Sequence, residues 1–564
     1  MIKNINFFKN KDFFIFKILN NFITYILVLF LILTFQVIIG IVSVISLIPL
    51  SSHLQSSSTN FSNKYVDLFF KFINLENNLI NVSFIFLFCF FLTSILLIIS
   101  NYCVFKINSK IKIFIIKDFL SKIFKLKWSS VNKIKHGVVS NNITKVAEGC
   151  GVIGRYLALL VLNIILCFIY IVFPFFLDYK FTLFFFLSFL IILPFFFFIF
   201  KKIKIFSLTS LKNSNKIFTL ISEFVHNLKL IIYSENKNKI ILDLFYKIKI
   251  QEQLAIKIST LELILPNLIK PISLFFIVII FINYSANYNT HNFAAILFSL
   301  YSFIPCLIIV IRALTEIQSN MPYIYQYEQF NREFLLNKIS SKGKIFSTLK
   351  NSIIFENVSF GYNKSDFIFK NLNLKIQRNK IFLIKGKSGS GKSTILDIIV
   401  GLNKPLSGKV LVDGEDLNKI NISSFRRKIS YISQEPFLFD DTLKSNLTWS
   451  INNDKQISDN EIIRVLKLTD LYNYVKKLPL GINTQIGPRG IFLSGGQKQR
   501  LILARELIKG SSIILMDEPT SAIDNKSEKL LIKTIKKISK IKTFIIATHS
   551  NNFNKIANSV FITN

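Results

Sequence analysis

The chain has 564 residues, is 51% hydrophobic and 14% aromatic, and has a mean hydropathy of +0.47, which is too apolar for an ordinary soluble protein. Its formal charge of +37 would suit nucleic acid or an anionic membrane surface. Placement decides for the membrane: lysines crowd 106–145 and 201–257 and are scarce in 51–78, 177–180 and 283–292, the positive-inside pattern of a multi-span membrane protein, and no nucleic-acid partner is expected.

The N-terminus, MIKNINFFKNKDFFIFK, is basic and leads into a long apolar run without a small-residue cleavage site, so it reads as a retained first span. Six apolar stretches are long enough to cross a bilayer: about Phe22 to Leu50, Leu79 to Phe105, Tyr156 to Leu177, Phe181 to Phe200, Leu263 to Tyr284 and Phe293 to Ile311. Long basic segments separate the second from the third and the fourth from the fifth, which places both chain ends in the cytoplasm. Within those segments apolar residues recur at helical spacing between lysines, so helices should continue beyond the bilayer. The five cysteines, Cys89, Cys103, Cys150, Cys167 and Cys306, lack metal-ligand spacing and read as apolar packing. The spans hold few ionisable groups: Lys270, and Arg155 and Arg312 at their edges. Lys270 either faces a cavity and meets an anionic headgroup or snorkels to the cytoplasmic interface.

The expected division is a membrane domain over 1–330 with six helices and long cytoplasmic extensions, a polar linker over 331–351, and a second domain over 352–564. That last part alternates β-branched runs with helical segments, as in SIIFENVSFGY, KIFLIKG, KVLVDG, SSIILMDE and KTFIIATH, the pattern of an α/β domain with a largely parallel sheet.

Its motifs carry chemistry. Tyr362 can stack on adenine or pack in the domain's own core. Residues Gly386, Lys387, Ser388, Gly389, Ser390, Gly391, Lys392, Ser393 and Thr394 fit G-x-x-x-x-G-K-[ST] between a strand and a helix. Their backbone N–H groups can turn inward around phosphate oxygens, Lys392 can reach the β- and γ-phosphates, and Ser393 can bind Mg²⁺. SSIILMDEPT ends an apolar strand in Asp517 and Glu518, placing one carboxylate to support Mg²⁺ and the next to polarise the attacking water. Gln434, in YISQEPFLF, follows a strand and can sense Mg²⁺ and the water, and His549, in FIIATHS, can contact the γ-phosphate; each is also compatible with a structural role.

Taken in order, Gly386–Thr394, Gln434, LSGGQKQR, MDEPTSAID and His549 resemble the nucleotide-binding domain of an ATP-binding cassette (ABC) transporter. The preceding spans resemble the membrane half of its exporter-type members. The resemblance implies a polytopic α-helical membrane domain of six transmembrane helices followed by an α/β P-loop ATPase domain with a helical subdomain. It implies ATP hydrolysis coupled to transport, with Glu518, His549, Gln434 and Lys392 as the catalytic set. It also implies head-to-tail pairing of two cassettes. In that pairing Ser494, Gly495, Gly496 and Gln497 of one chain close on ATP held by Lys392 of the other, and Asp524 lines the seam. A second copy of the chain, or a homologous half-transporter, is the expected partner.

One departure stands out: where exporters of this type carry Gly-Glu-x-Gly, thought to contact coupling helices, this chain has Gly487-Pro488-Arg489-Gly490. Pro488 removes a carboxylate and an N–H donor. Coupling helices are expected at HGVVSNNITKV from His136 and around Phe224 to Tyr233. The Phe-rich spans suit an amphiphile, a lipid, a lipid-linked oligosaccharide or a hydrophobic compound, and the chain loosely resembles bacterial flippases for lipid-linked oligosaccharides as well as lipid and multidrug exporters. The expected setting is the bacterial cytoplasmic membrane. The alternative is a membrane-bound cassette ATPase that gates or regulates without pumping.

Overall fold

The computed structural model describes residues 23–54, 79–177, 179, 182–183, 193–234, 237–284, 290–339, 343–363, 366–434, 437–451, 457–520 and 523–563. The basic N-terminal segment 1–22, residues 184–192 of the fourth apolar stretch, 340–342 of the expected linker, and Ser521 and Ala522 of SAID lie outside them. The chain divides into two compact units, Met1–Leu126 with Val131–Lys338, and Lys127–Ser130 with Ile339–Asn564.

Six long helices are described in the first unit: α1 (Ile23–Leu54), α2 (Leu79–Ile123), α3 (Ala147–Leu177), α4 (Leu193–His226), α5 (Lys237–Tyr284) and α6 (Thr290–Asn337). Among the described residues, four helical segments are long and apolar enough to cross a membrane, Leu79–Ile123, His136–Phe176, Asn238–Phe275 and Ile296–Asn337, and Leu27–Gly40 of α1 is a further apolar segment. At 1.5 Å per residue α2, α5 and α6 each run to roughly 70 Å, about twice the hydrocarbon thickness. The lysine-laced sequences therefore do continue as helix beyond the apolar stretches. α6 also extends through 331–337, the start of the expected linker.

α3 is entered through a helix, His136–Asn141, and a π-helical turn, Asn142–Val146. Gly137 explains the packing there: a Cβ at this position would sit 2.3 Å from Thr219 Cα, so only glycine lets the two backbones touch. Beside it a polar knot joins three helices. Asn215 Nδ2 donates to Gln326 Oε1 (3.1 Å), Gln326 Nε2 donates to Asn142 Oδ1 (2.6 Å), and Asn141 donates to Asn215. Satisfied amides of this kind fix register between otherwise slippery apolar helices. The apolar packing around them brings Ile107, Ile111 and Ile115 of α2 against Cys150 and Ile153 of α3 and Ile324 of α6. All five cysteines are free thiols, and all but Cys103 are buried.

The second unit holds two sheets. One, of order β2-β1-β4-β5, is antiparallel and is built from Ser352–Phe360 (β1), Phe369–Gln377 (β2), Ser407–Val412 (β4) and Glu415–Asp416 (β5). The other is parallel, of order β6-β7-β8-β3-β9, from Ile381–Lys385 (β3), Ile429–Ile432 (β6), Ile513–Asp517 (β7), Thr543–Ala547 (β8) and Ser559–Ile562 (β9). β7 and β8 are buried along their whole length, which is why their sequences, IILMD and TFIIA, are nearly unbroken apolar runs. Short helices Leu443–Thr448, Asp459–Leu468 and Tyr472–Lys476 pack with the helix that follows the LSGGQ motif around Leu447, Ile462 and Leu501. They form the helical subdomain.

Candidate nucleotide site

In a parallel sheet, ligands gather at the carboxyl ends of the strands, and four of the expected site segments begin there. β3 leads into the loop Gly386–Gly391 and then into α7 (Lys392–Ile399). Gly391 holds φ at +88°, a left-handed turn that a side chain would strain, and it swings the backbone into the helix start. Lys392 is buried, and its ammonium donates to Gly386 O (3.0 Å) and Lys387 O (2.9 Å). It thus spans the loop that a phosphate would fill. Ser388 and Gly389 are exposed at the loop tip, Ser390 Oγ meets Thr563 Oγ1 at 2.6 Å, and Thr394 is buried in α7.

β7 delivers Asp517 and Glu518. Lys392 Nζ lies 3.6 Å from Glu518 Oε1, His549 Nδ1 lies 3.6 Å from Glu518 Oε2, and Gln434 Nε2 donates to Glu518 Oε2 at 3.4 Å. Three residues drawn from three strand ends therefore converge on one carboxylate. Glu518 itself has φ +44°, an uncommon conformation for a residue with a Cβ and one that recurs at functional sites. It is held by its N–H donating to Ala547 O (2.8 Å).

Asp517 is buried, and Tyr431 Oη donates to its Oδ2 (3.3 Å) while its Oδ1 is buried without a hydrogen-bond partner. Burial raises the Asp517 pKa from its ordinary value, and hydrogen bonds from Ser393 and Tyr431 oppose the rise. An orphaned buried carboxylate oxygen with a serine hydroxyl beside it fits a hard, oxygen-seeking cation such as Mg²⁺. Asp397 on α7 feels the same field: burial, then the Asp517 charge, push its pKa up to about 6. Neither Asp397 nor Tyr431 was marked by the motifs. Tyr431 was discoverable as a β6 residue pairing beside β7, whereas Asp397 reads in sequence as an ordinary polar residue of a helix.

Tyr362 is 70% exposed, with its ring edge-on to Phe360 at 5.4 Å; it is surface-available rather than a core residue.

The LSGGQ residues form a separate cluster. Ser494 caps α8 (Gly495–Ile508) through a reciprocal box with Gln497, and Asp524 caps α9 (Asn525–Ile538) by accepting from Ser527 N at 3.2 Å. The two caps adjoin, since a Cβ on Gly496 would lie 2.4 Å from Ser527 Oγ. The backbone N–H groups and dipoles of two neighbouring helix starts favour an anion. Among the described residues, no hydrogen bond or ion pair links this cluster to Lys392 or Glu518. Upstream, Gly487 and Arg489 take positive φ around a one-turn 3₁₀ helix, Pro488–Gly490, and leave Arg489, Ile491 and Phe492 exposed.

The sequence profile described as the ABC transporter transmembrane region matches residues 26–282, and the one described as ABC transporter matches residues 369–521. The chain carries the membrane region and the ATP-binding domain of ABC transporters. Relatives of this chain include a provisionally named export ATP-binding/permease protein of Rickettsia typhi, 40% identical over 38% of this chain and 38% of that protein. The heterocyst differentiation ATP-binding protein HepA of Nostoc is 37% identical over 39% of this chain and 35% of that protein. Multidrug resistance protein 1 of Entamoeba histolytica is 33% identical over 42% of this chain and 18% of that protein. The chain thus matches well under half the length of these relatives. A bacterial Atm1-family ABC exporter with ATP bound shares the fold, with a TM-score of 0.77 at 16% identity over 96% of this chain and 94% of that one.

The two stretches expected as coupling helices differ in exposure. The stretch from His136, expected as a coupling helix, is packed: Gly137 and Asn141 are buried, and the segment runs directly into α3. A further short helix, Trp128–Val131, lies between α2 and α3 with Trp128 exposed. In the second long loop, Leu228–Tyr233 is a short helix with Leu228, Leu230, Ile232 and Tyr233 all exposed. Lys270 is exposed beside buried Ile269.

Proposed function

We propose that the chain is an ATP-driven ABC exporter or flippase that moves an amphiphile across a bacterial cytoplasmic membrane as a dimer, with both chain ends in the cytoplasm. The observation that carries this reading is the split site. Lys392, Gln434 and His549 converge on Glu518, while the anion-favouring helix starts at Ser494 and Asp524 form a second cluster without bonds to the first. Two copies arranged head to tail let each cluster complete the other.

In that arrangement Gly386–Thr394 binds the phosphates, Tyr362 stacks on adenine, and Ser494, Gly495, Gly496 and Gln497 of the partner reach the γ-phosphate, with Asp524 at the seam. Ser393, Asp517 and Gln434 would hold Mg²⁺, which supplies charge neutralisation at the β- and γ-oxygens. Lys392 releases its two carbonyl partners for phosphate oxygens, and Glu518, oriented by its strained backbone, takes up the attacking water with Gln434 and His549 around it. Closure of the two cassettes biases the long helices toward an outward-open state and hydrolysis resets them. The apolar face of Leu228–Tyr233 supports a docking role in this coupling, and Pro488 means that it proceeds without the carboxylate other exporters place there.

The test is ATP-dependent movement of lipid-linked sugars, phospholipids and amphiphilic dyes in proteoliposomes, compared between the native chain and Glu518→Gln. The reading expects movement of at least one class by the native chain and none by the variant. Equal movement by both would overturn it.

A further inference from the structure

His549 is held by its neighbours rather than by its own ring. The imidazole is 66% exposed and lies 3.6 Å from Glu518 Oε2, longer than a hydrogen bond, so its direction is set by the backbone on either side. Upstream, Thr548 is buried and its N–H donates to Ile384 O in β3 (3.1 Å). The Thr548 hydroxyl accepts from Ser550 N (3.0 Å), closing a tight turn around His549. Downstream, the anchor is Glu528 of α9. Ser550 Oγ donates to Glu528 Oε1 at 2.7 Å and Asn552 Nδ2 donates to Glu528 Oε2 at 2.9 Å, while Ser550 Oγ accepts from Asn552 N at 3.2 Å.

Glu528 sits where α9 would otherwise be apolar. With Leu531, Ile535 and Ile538 it makes the buried face of the helix, at helical spacing that suits another aliphatic residue. A carboxylate there costs desolvation unless its oxygens find donors. Among the described residues it forms no ion pair, so both oxygens are met by the neutral donors of Ser550 and Asn552, in charge-assisted bonds roughly twice as strong as neutral ones. A plain tie between helix and loop could grip any residue of that loop. These bonds fall on the first and third residues after His549, which is where they control the histidine.

We propose that Glu528 is a positioning residue for ATP hydrolysis: by gripping Ser550 and Asn552 it fixes the direction in which His549 presents its imidazole to the γ-phosphate. This rests on the reading of His549 as a γ-phosphate contact. Without the grip the histidine keeps its place after β8 but swings over an open surface. The loss then falls on the chemical step and not on ATP binding, which the loop Gly386–Thr394 carries separately.

The test follows phosphate release in single turnovers, with the full-length chain in excess over ATP so that slow variants still give a rate. The native chain, Glu528→Ala and Glu528→Gln are compared, each also in a His549→Ala background, and ATP affinity is titrated on the same preparations. Glu528→Ala should release phosphate about tenfold more slowly with ATP affinity unchanged, and Glu528→Gln, which keeps one acceptor oxygen, should recover part of the loss. In the His549→Ala background both changes should alter the rate by less than about twofold, because no ring is left to aim.

Equal losses in the two backgrounds, or ATP affinity falling in step with the rate, overturn the positioning role and leave Glu528 a structural tie. A native rate in Glu528→Ala overturns it as well. If His549→Ala alone hydrolyses ATP at the native rate, the γ-phosphate reading of His549 falls and the proposal with it, an outcome distinct from the other two. If Glu528→Ala fails to fold, Ser550→Ala, at a half-buried position, takes its place, with a roughly threefold loss expected only where His549 is present.

Discussion

The two units solve the problem of placing charge in opposite ways. In the ATP-binding unit the charged and polar groups are delivered by consecutive residues at strand ends, so one turn carries one function: Lys392 follows Gly391, and Glu518 follows Asp517. In the membrane unit the polar groups that meet are far apart in the chain, as with Asn142, Asn215 and Gln326, or Tyr156 and Glu316. A backbone-built site constrains sequence locally. A side-chain-built site does so only through the packing of whole helices.

That contrast can be broken at several points. The largest effect is expected in the backbone-built site: Glu518→Gln should lower phosphate release by roughly a hundred- to a thousandfold while leaving ATP binding intact, read by phosphate release and nucleotide titration on one preparation. Loss of binding alongside hydrolysis would make Glu518 a scaffold for Lys392. In the helix-built unit, Gly137→Ala must push apart two backbones and should cost roughly 3 kcal/mol, seen as loss of folded protein in detergent by thermal denaturation. A stable variant would mean that α4 can shift without penalty.

A subtler change concerns Asp397. Its pKa is raised to about 6, so between about pH 4 and 6 the folded chain holds a proton that the unfolded chain has released, and this group's contribution to stability falls as pH rises through that window. Asp397→Asn should match the native chain below pH 4 and exceed it above pH 6 by roughly 3 °C in Tm, measured without nucleotide. Smallest is Tyr431→Phe. It removes one hydrogen bond to Asp517 Oδ2, and should weaken the Mg²⁺ dependence of ATP hydrolysis by roughly threefold, about the worth of a single such bond.

The same contrast explains what was legible. Gly386–Thr394, Gln434, Asp517, Glu518 and His549 could be read because phosphate and cation chemistry demands these residue types at fixed spacings, and the structure brings Lys392, Gln434 and His549 each within 3.6 Å of the Glu518 carboxylate. The long helices were legible from apolar length and lysine periodicity, although only four segments among the described residues meet the length and hydropathy of a crossing helix. What escaped was long-range. Asn141 and Asn142 read as part of a coupling-helix candidate because nothing local announces Gln326, and nothing local announces that α3 and α6 meet at Tyr156 and Glu316. Asp397 escaped because its character comes from burial beside Asp517, and burial has no motif.

The split between the two clusters of the ATP-binding unit is tested most directly by covalent capture. Chains carrying Ser388→Cys and Ser494→Cys in a Glu518→Gln background are oxidised in membranes with and without ATP, and the product is sized. The account predicts an ATP-dependent covalent dimer that disappears when Lys392→Ala is added. A cross-link confined to single chains, or dimers formed equally without ATP, would contradict it.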